Sequence, residues 1–170
     1  MIVEIMQITL FFLFSLRLLD IVKAKPGQPN IYDLAHTENC DDIVYEVLDD
    51  ETRHKDFSNP YCVNQNNEPC DIGYWGADWK GPNWYKIEDK AGTRIADTLV
   101  EQCHCNTDAT GYINGTHPTA VGETVERTVC FNYINDPCWE SNTIQIRNCG
   151  NYYLYYLEDT MNCDYRYCTQ

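Results

Sequence analysis

TIQIRNCGNYYLYYL, Thr143 to Leu157, is the stretch whose reading decides the fold. From Thr143 to Asn148 apolar and polar residues alternate, the period of a strand with one face in a core and one in water. Gly150-Asn151 marks a sharp turn, and Tyr152 to Leu157 (YYLYYL) is a second run rich in strand-forming aromatics. The two runs predict a C-terminal hairpin. On its second strand Tyr152 and Tyr156 stand on one face and Tyr153 and Tyr155 on the other, so neighbouring segments must cover at least one face. Thr124 to Ile134 (TVERTVCFNYI) repeats the alternation and adds another strand. The earlier part of the chain reads differently. Cys40 to Asp49 sets Ile43, Val44, Val47 and Leu48 at helical spacing behind Glu38 and Asn39, which predicts one short amphipathic helix. Ser58 to Pro82 carries Pro60, Pro69, Gly73, Gly76, Gly81 and Pro82 and reads as loop. The expected class is therefore mainly β: a small disulfide-rich domain with antiparallel strands, a C-terminal hairpin and one short N-terminal helix.

The ends set the compartment. Ile5 to Leu19 is an apolar run interrupted by Gln7, Thr9, Ser15 and Arg17, too short to span a bilayer comfortably. Val22-Lys23-Ala24 follows, and residues 1–24 read as a removable secretory signal. Residues 25–37, with Pro26, Gly27 and Pro29, read as a flexible leader, and 38–170 as one domain. A chain of this size buries roughly 70% of its unfolded surface, enough for a modest core. No second long apolar stretch occurs, so no stable membrane insertion is expected once the signal is cleaved. All ten cysteines lie beyond residue 24, and an even number in a secreted chain reads as a disulfide framework. The net charge of −14, with twelve Lys and Arg scattered along the chain, argues against nucleic acid as a partner. The acidic run from Glu38 to Glu51 lacks calcium-loop spacing and reads as a solvated face.

Cys103-His104-Cys105 is the one local pattern that suggests chemistry. On an extended strand residues i and i+2 point to the same side, so both thiols can reach a neighbouring surface, while a bond between them would close a strained ring. Two separate bridges are expected, with His104 an exposed strand residue. A zinc site would need further ligands at suitable spacing, which only Cys163 and Cys168 approximate. Hydrolytic chemistry has little support: beyond the signal the only serines are Ser58 and Ser141, neither in a nucleophile-elbow motif, and no His-Glu-x-x-His occurs. No catalytic residue, metal or cofactor is expected. Trp75, Trp79, Trp84, Tyr153 and Tyr155 are candidate binding aromatics, the alternative being that they form the core. Asn114-Gly115-Thr116 is the only glycosylation sequon with an allowed middle residue, and Gly111 and Gly115 predict a turn there that a glycosyltransferase can reach.

Several segments together resemble a known family: CNTDATGYINGTHP, ERTVCFNY, the Cys138-Trp139 pair, IQIRNC, GNYYLYYL and the terminal Cys-x4-Cys, with Cys40, Cys70-Asp71, Trp84-Tyr85-Lys86 and Ala91-Gly92-Thr93-Arg94 upstream. The pattern is similar to the eight-cysteine domain of uromodulin and of the major glycoprotein of pancreatic secretory granules, over nearly all of Cys40 to Thr169. That resemblance implies bridges Cys40–Cys149, Cys70–Cys163, Cys105–Cys168 and Cys130–Cys138. Where the family has a second cysteine before the Trp, this chain has Pro137, which strands Cys103. Cys62 is the additional cysteine, and the two are expected to pair. The resemblance further implies an extracellular, non-enzymatic, modular protein. The functional expectation is a secreted, N-glycosylated module that binds an extracellular protein or glycan. The alternatives are a small secreted hydrolase or enzyme inhibitor, and a lectin-like carbohydrate-binding module.

Overall fold

The computed structural model describes residues 39–59, 69–73 and 78–170. Seven strands form one mixed sheet: β1 Glu46–Leu48, β2 Asn83–Ile87, β3 Ala109–Asn114, β4 Thr124–Tyr133, β5 Asp136–Asn148, β6 Tyr153–Leu157 and β7 Tyr165–Tyr167. Their order is β1-β2-β6-β5-β4-β3-β7. The hairpin forms, with Gln145 opposite Tyr156 and Asn148 opposite Tyr153. Gly150 makes the turn at φ 92°, and its N–H donates to the side chain of Asn148. In this conformation a residue with a Cβ would be strained.

The mainly-β expectation holds, with two corrections. The sheet is mixed rather than antiparallel, because β1 runs parallel to β2 and β3 parallel to β7. The expected N-terminal helix is absent: Cys40–Asp42 is a single 3-10 turn, and the chain then extends into β1. Helical spacing would have put Val44 beside Leu48, yet Val44 is 85% exposed and Leu48 fully buried. The β-branched residues Ile43, Val44 and Val47 favour extended backbone, and pairing with β2 supplies its hydrogen bonds. Among the described residues the only helical segments are 3-10 turns, at Cys40–Asp42, Glu51–Arg53 and Asp89–Ala91.

One face of the sheet builds the core. Tyr85 and Ile87, Tyr155 and Leu157, Ile144 and Ile146, Val129 and Phe131, and Ile113 all lie in it. Irregular segments close over this face with Leu48, Trp79, Ala91 and Ile95. Trp79 stacks on Tyr85 with ring centres 4.8 Å apart. Gly111 belongs to β3 rather than to a turn, and it sits between Phe131 of β4 and Tyr167 of β7 in the same cross-strand row. A Cβ there would come within 2.7 Å of the Phe131 ring and 2.8 Å of the Arg166 carbonyl oxygen. The two rings, 5.7 Å apart, cover the glycine from either side.

Four disulfides tie the irregular segments to the sheet: Cys40–Cys149, Cys70–Cys163, Cys105–Cys168 and Cys130–Cys138. Cys103 is disulfide-bonded as well. The Cys62 end of the expected Cys62–Cys103 bridge lies outside the described residues, as do the signal, the leader and Trp75.

Cys103 to Cys105 do not lie on an extended strand. Cys103, Cys105 and Asn106 have φ values of 62°, 41° and 54°, so the chain coils through left-handed turns. The i, i+2 argument for a shared side therefore does not apply, although the two cysteines are bonded separately. His104 is half-buried rather than exposed: its Nδ1 lies 2.6 Å from the Lys55 carbonyl oxygen, and its backbone forms a bridge with Ser58.

Candidate functional site

Charged groups inside the domain are the first candidates for chemistry. Arg53, in the 3-10 turn at Glu51–Arg53, is fully buried and holds two carboxylates at once. Its Nη1 donates to Asp71 Oδ2 at 2.8 Å, and its Nε and Nη2 donate to the two oxygens of Asp78 at 2.7 Å each. Asp71 also accepts the backbone N–H of Tyr167 in β7 at 2.9 Å. Beside this group Arg166, also buried, donates to Asp50 Oδ2 at 2.7 Å and to Thr52 Oγ1 at 2.8 Å. Burial alone would raise the Asp50 and Asp78 carboxyls. The charge of Arg166 on Asp50, and the hydrogen bonds and charge of Arg53 on Asp78, outweigh it and hold both below the ordinary range. Burial, reinforced by the nearby Arg53 charge, brings Arg166 down to about 10. Asp50, Asp78 and Arg166 are therefore charged at neutral pH, and each, like Arg53 and Asp71, is engaged by a fixed partner. The group is a strut between the segment before β2 and the edge strand β7, with no proton donor or base left to act on a substrate.

A second arrangement superficially resembles a catalytic triad. His117 Nε2 lies 2.9 Å from Tyr155 Oη, and His117 Nδ1 lies 3.3 Å from Asp97 Oδ2. The second contact lacks hydrogen-bond geometry and is an electrostatic one. Tyr155 is fully buried, and burial raises its phenol well above the ordinary value, the opposite of what a nucleophile needs. His104 and His117 bond to different partners, the Lys55 carbonyl and the Tyr155 hydroxyl. Burial lowers His117 below its ordinary value of 6.5 despite the opposing pull of Asp97, while Arg94 and Arg127 add to the lowering. The unfolded chain, titrating near 6.5, therefore takes the proton first. This histidine's contribution to stability is complete above that pH and declines as pH falls below it. One such group steepens the fall by at most about 1.4 kcal/mol per pH unit. Urea titrations between pH 7.5 and 5.5 should show the decline, and His117→Gln should flatten it.

Of the candidate binding aromatics, Trp79 is 1% exposed and Tyr155 is fully buried, so neither is a platform for a ligand. Trp79 Nε1 donates to Asp159, and Tyr155 accepts the Ile95 N–H, which satisfies their polar ends inside the core. Tyr153 is half-buried, with its ring 4.7 Å from that of His117. Trp84 is half-buried on the outer face of the sheet, against Tyr156, with ring centres 5.7 Å apart. The sequence reading missed Trp139, which is 48% exposed. Phe131 faces Glu140 but Tyr133 faces Asp136, so Pro137, Cys138 and Trp139 bulge out opposite Asn132 at the β4–β5 turn. Asn114 closes β3 and is exposed together with Gly115 and Thr116.

These observations define a class: a disulfide-caged mixed β-sheet domain whose buried ionisable groups serve structure and whose outer sheet face is open. Residues 85–169 match the family described as the uromodulin-like domain of eight cysteines. The chain belongs to that family. It is 31% identical to the pancreatic secretory granule membrane major glycoprotein GP2 of Canis lupus familiaris, over 86% of this chain and 26% of that protein. Against uromodulin of Rattus norvegicus the identity is 34%, over 74% of this chain and 18% of the relative. Against GP2 of Homo sapiens it is 30%, over 89% and 25%. The chain thus spans about a quarter or less of the length of these relatives.

Proposed function

We propose that the protein is a secreted, N-glycosylated, non-catalytic module that works by binding an extracellular partner. The observation that carries this reading is the oxidised cysteine set: four bridges fix the segments around one small sheet. Such bonds form and persist in oxidising compartments. Residues 1–24 supply a leader of the right pattern. Asn114, exposed at the end of β3, offers its sequon to a glycosyltransferase. Relatives named as uromodulin and as a secretory granule glycoprotein support the same compartment. The absence of catalysis rests on the engagement of the buried Asp, Arg, His and Tyr groups with one another.

Expression of the full chain in mammalian cells tests this. The protein is expected in the medium, starting near Lys25. N-glycosidase should lower its mass, and Asn114→Gln should remove that shift. Retention in the cytosol, or a mass unchanged by the glycosidase, would overturn the reading.

A further inference from the structure

The outer face of the sheet carries a row that has no structural task beyond pairing. Directly opposed residues in antiparallel strands share a face. Trp84 of β2 opposes Tyr156 of β6, Tyr156 opposes Gln145 of β5, and Gln145 opposes Glu126 of β4. Four side chains therefore line up across four adjacent strands. The neighbours Tyr85 and Tyr155 point the other way, into the core. With strands ~4.8 Å apart, the row is about 14 Å long, the span of a short run of pyranose rings.

Along the strands this row is bounded on one side and open on the other. Two residues one way, Arg147 donates to Thr124 at 2.9 Å and Leu154 is fully buried, so that side is closed. Two residues the other way, Thr143, Thr128 and Asn114 oppose one another, and all three are exposed. Gln145 and Glu126 are exposed too, while Trp84 and Tyr156 are half-buried and fixed edge to face.

Resting on the reading of the protein as an extracellular binding module, we propose that the row Trp84, Tyr156, Gln145 and Glu126 binds a neutral oligosaccharide laid across the strands. A sugar ring has an apolar face that stacks on an aromatic ring and hydroxyls that pair with amide and carboxylate groups, in the order this row presents them. Two ordered rings at one end lose little freedom on binding. The open surface beyond them is Gln, Glu, Thr and Asn, with no aliphatic centre of the kind that protein interfaces bury. Charge selects within the class of glycans. The only ionised side chain in the row is that of Glu126 and the whole chain carries −14, so sialylated or sulfated chains are repelled.

The test uses the secreted, oxidised protein with neutral oligosaccharides of glucose, N-acetylglucosamine or mannose a few rings long. Sialylated and sulfated oligosaccharides serve as the opposing series, and binding is read by calorimetry and tryptophan fluorescence. At least one neutral series should bind and the charged ones should not. Trp84→Ala and Tyr156→Ala should each weaken binding roughly tenfold, the scale of one lost ring contact. Gln145→Ala, at an exposed site that cannot disturb the core, should weaken it as well. Trp139→Ala, on the bulged turn, should leave it unchanged. The proposal is overturned if no neutral series binds, if the charged series binds instead, or if Trp139→Ala abolishes binding that Gln145→Ala and Trp84→Ala retain. A protein that is secreted, bridged and glycosylated yet binds no neutral oligosaccharide defeats this proposal alone and leaves the extracellular module standing.

Discussion

Arg53→Met is expected to destabilise the domain by about 3–5 kcal/mol, the cost of leaving buried carboxylates without their cation. The guanidinium is fully buried between Asp71, itself fully buried, and Asp78, and it donates to both oxygens of each. Its removal strands two negative charges beside the Tyr167 backbone, where water cannot reach them. Arg53→Lys should recover only part of the loss, because an ammonium cannot serve two carboxylates through paired parallel bonds. The acid response should change as well. In the parent protein Asp78 is held below the ordinary carboxyl value of 3.8, as is Asp50. The stability these groups contribute is complete above that value and is lost as pH falls through their lower folded values. Without Arg53 the Asp78 carboxyl is no longer held down, so the variant should lose less stability on acidification. Urea denaturation at pH 7 and at pH 3 measures both effects. Equal stability of Arg53→Met and parent at pH 7 would show that the strut is dispensable.

The second large effect concerns the longest loop. Cys40 and Cys149 are separated by 109 positions, and bridging them removes more chain entropy from the unfolded state than any other bridge among the described residues. The double variant Cys40→Ser, Cys149→Ser should lose about 4–5 kcal/mol on the chain-entropy model. The Cys130–Cys138 bridge spans only 8 positions, so its removal should cost about 2.5 kcal/mol by the same relation. The order of the two losses matters more than either value. A larger loss from the short bridge would mean that local packing at the β4–β5 turn, rather than the unfolded chain, sets the contribution. Comparing midpoints and slopes of urea transitions for the two variants separates these outcomes.

The long strands were legible because their sequences alternate: Thr124 to Tyr133 and Thr143 to Leu157 carry one apolar face, and that face became the core. β3 was hidden, since Ala109, Thr110 and Gly111 lack bulky strand formers and the two glycines imitate a turn. Only the Phe131 and Tyr167 rings on either side make Gly111 a strand residue, and both are contributed from elsewhere in the chain. β1 was misread because four apolar residues in ten satisfy helical spacing by chance, and the parallel pairing with β2 that overrides it leaves no local signal. The same limit applies to Arg53. Its partners lie 18 and 25 positions away in a loop rich in Pro and Gly, and only the folded loop brings them under β7. Trp79 and Tyr155 show the converse problem: composition marks an aromatic as suited to binding or to packing, and burial decides which. The Trp84 row becomes visible only when the register of four strands is known.

Sulfur bridges that hold a small sheet to its irregular segments are the central feature of this domain. Peptide mapping of the secreted, unreduced protein measures them directly. It should recover Cys40 linked to Cys149, Cys70 to Cys163, Cys105 to Cys168 and Cys130 to Cys138. Alkylatable thiols at these eight positions, or a different set of partners among them, would contradict it.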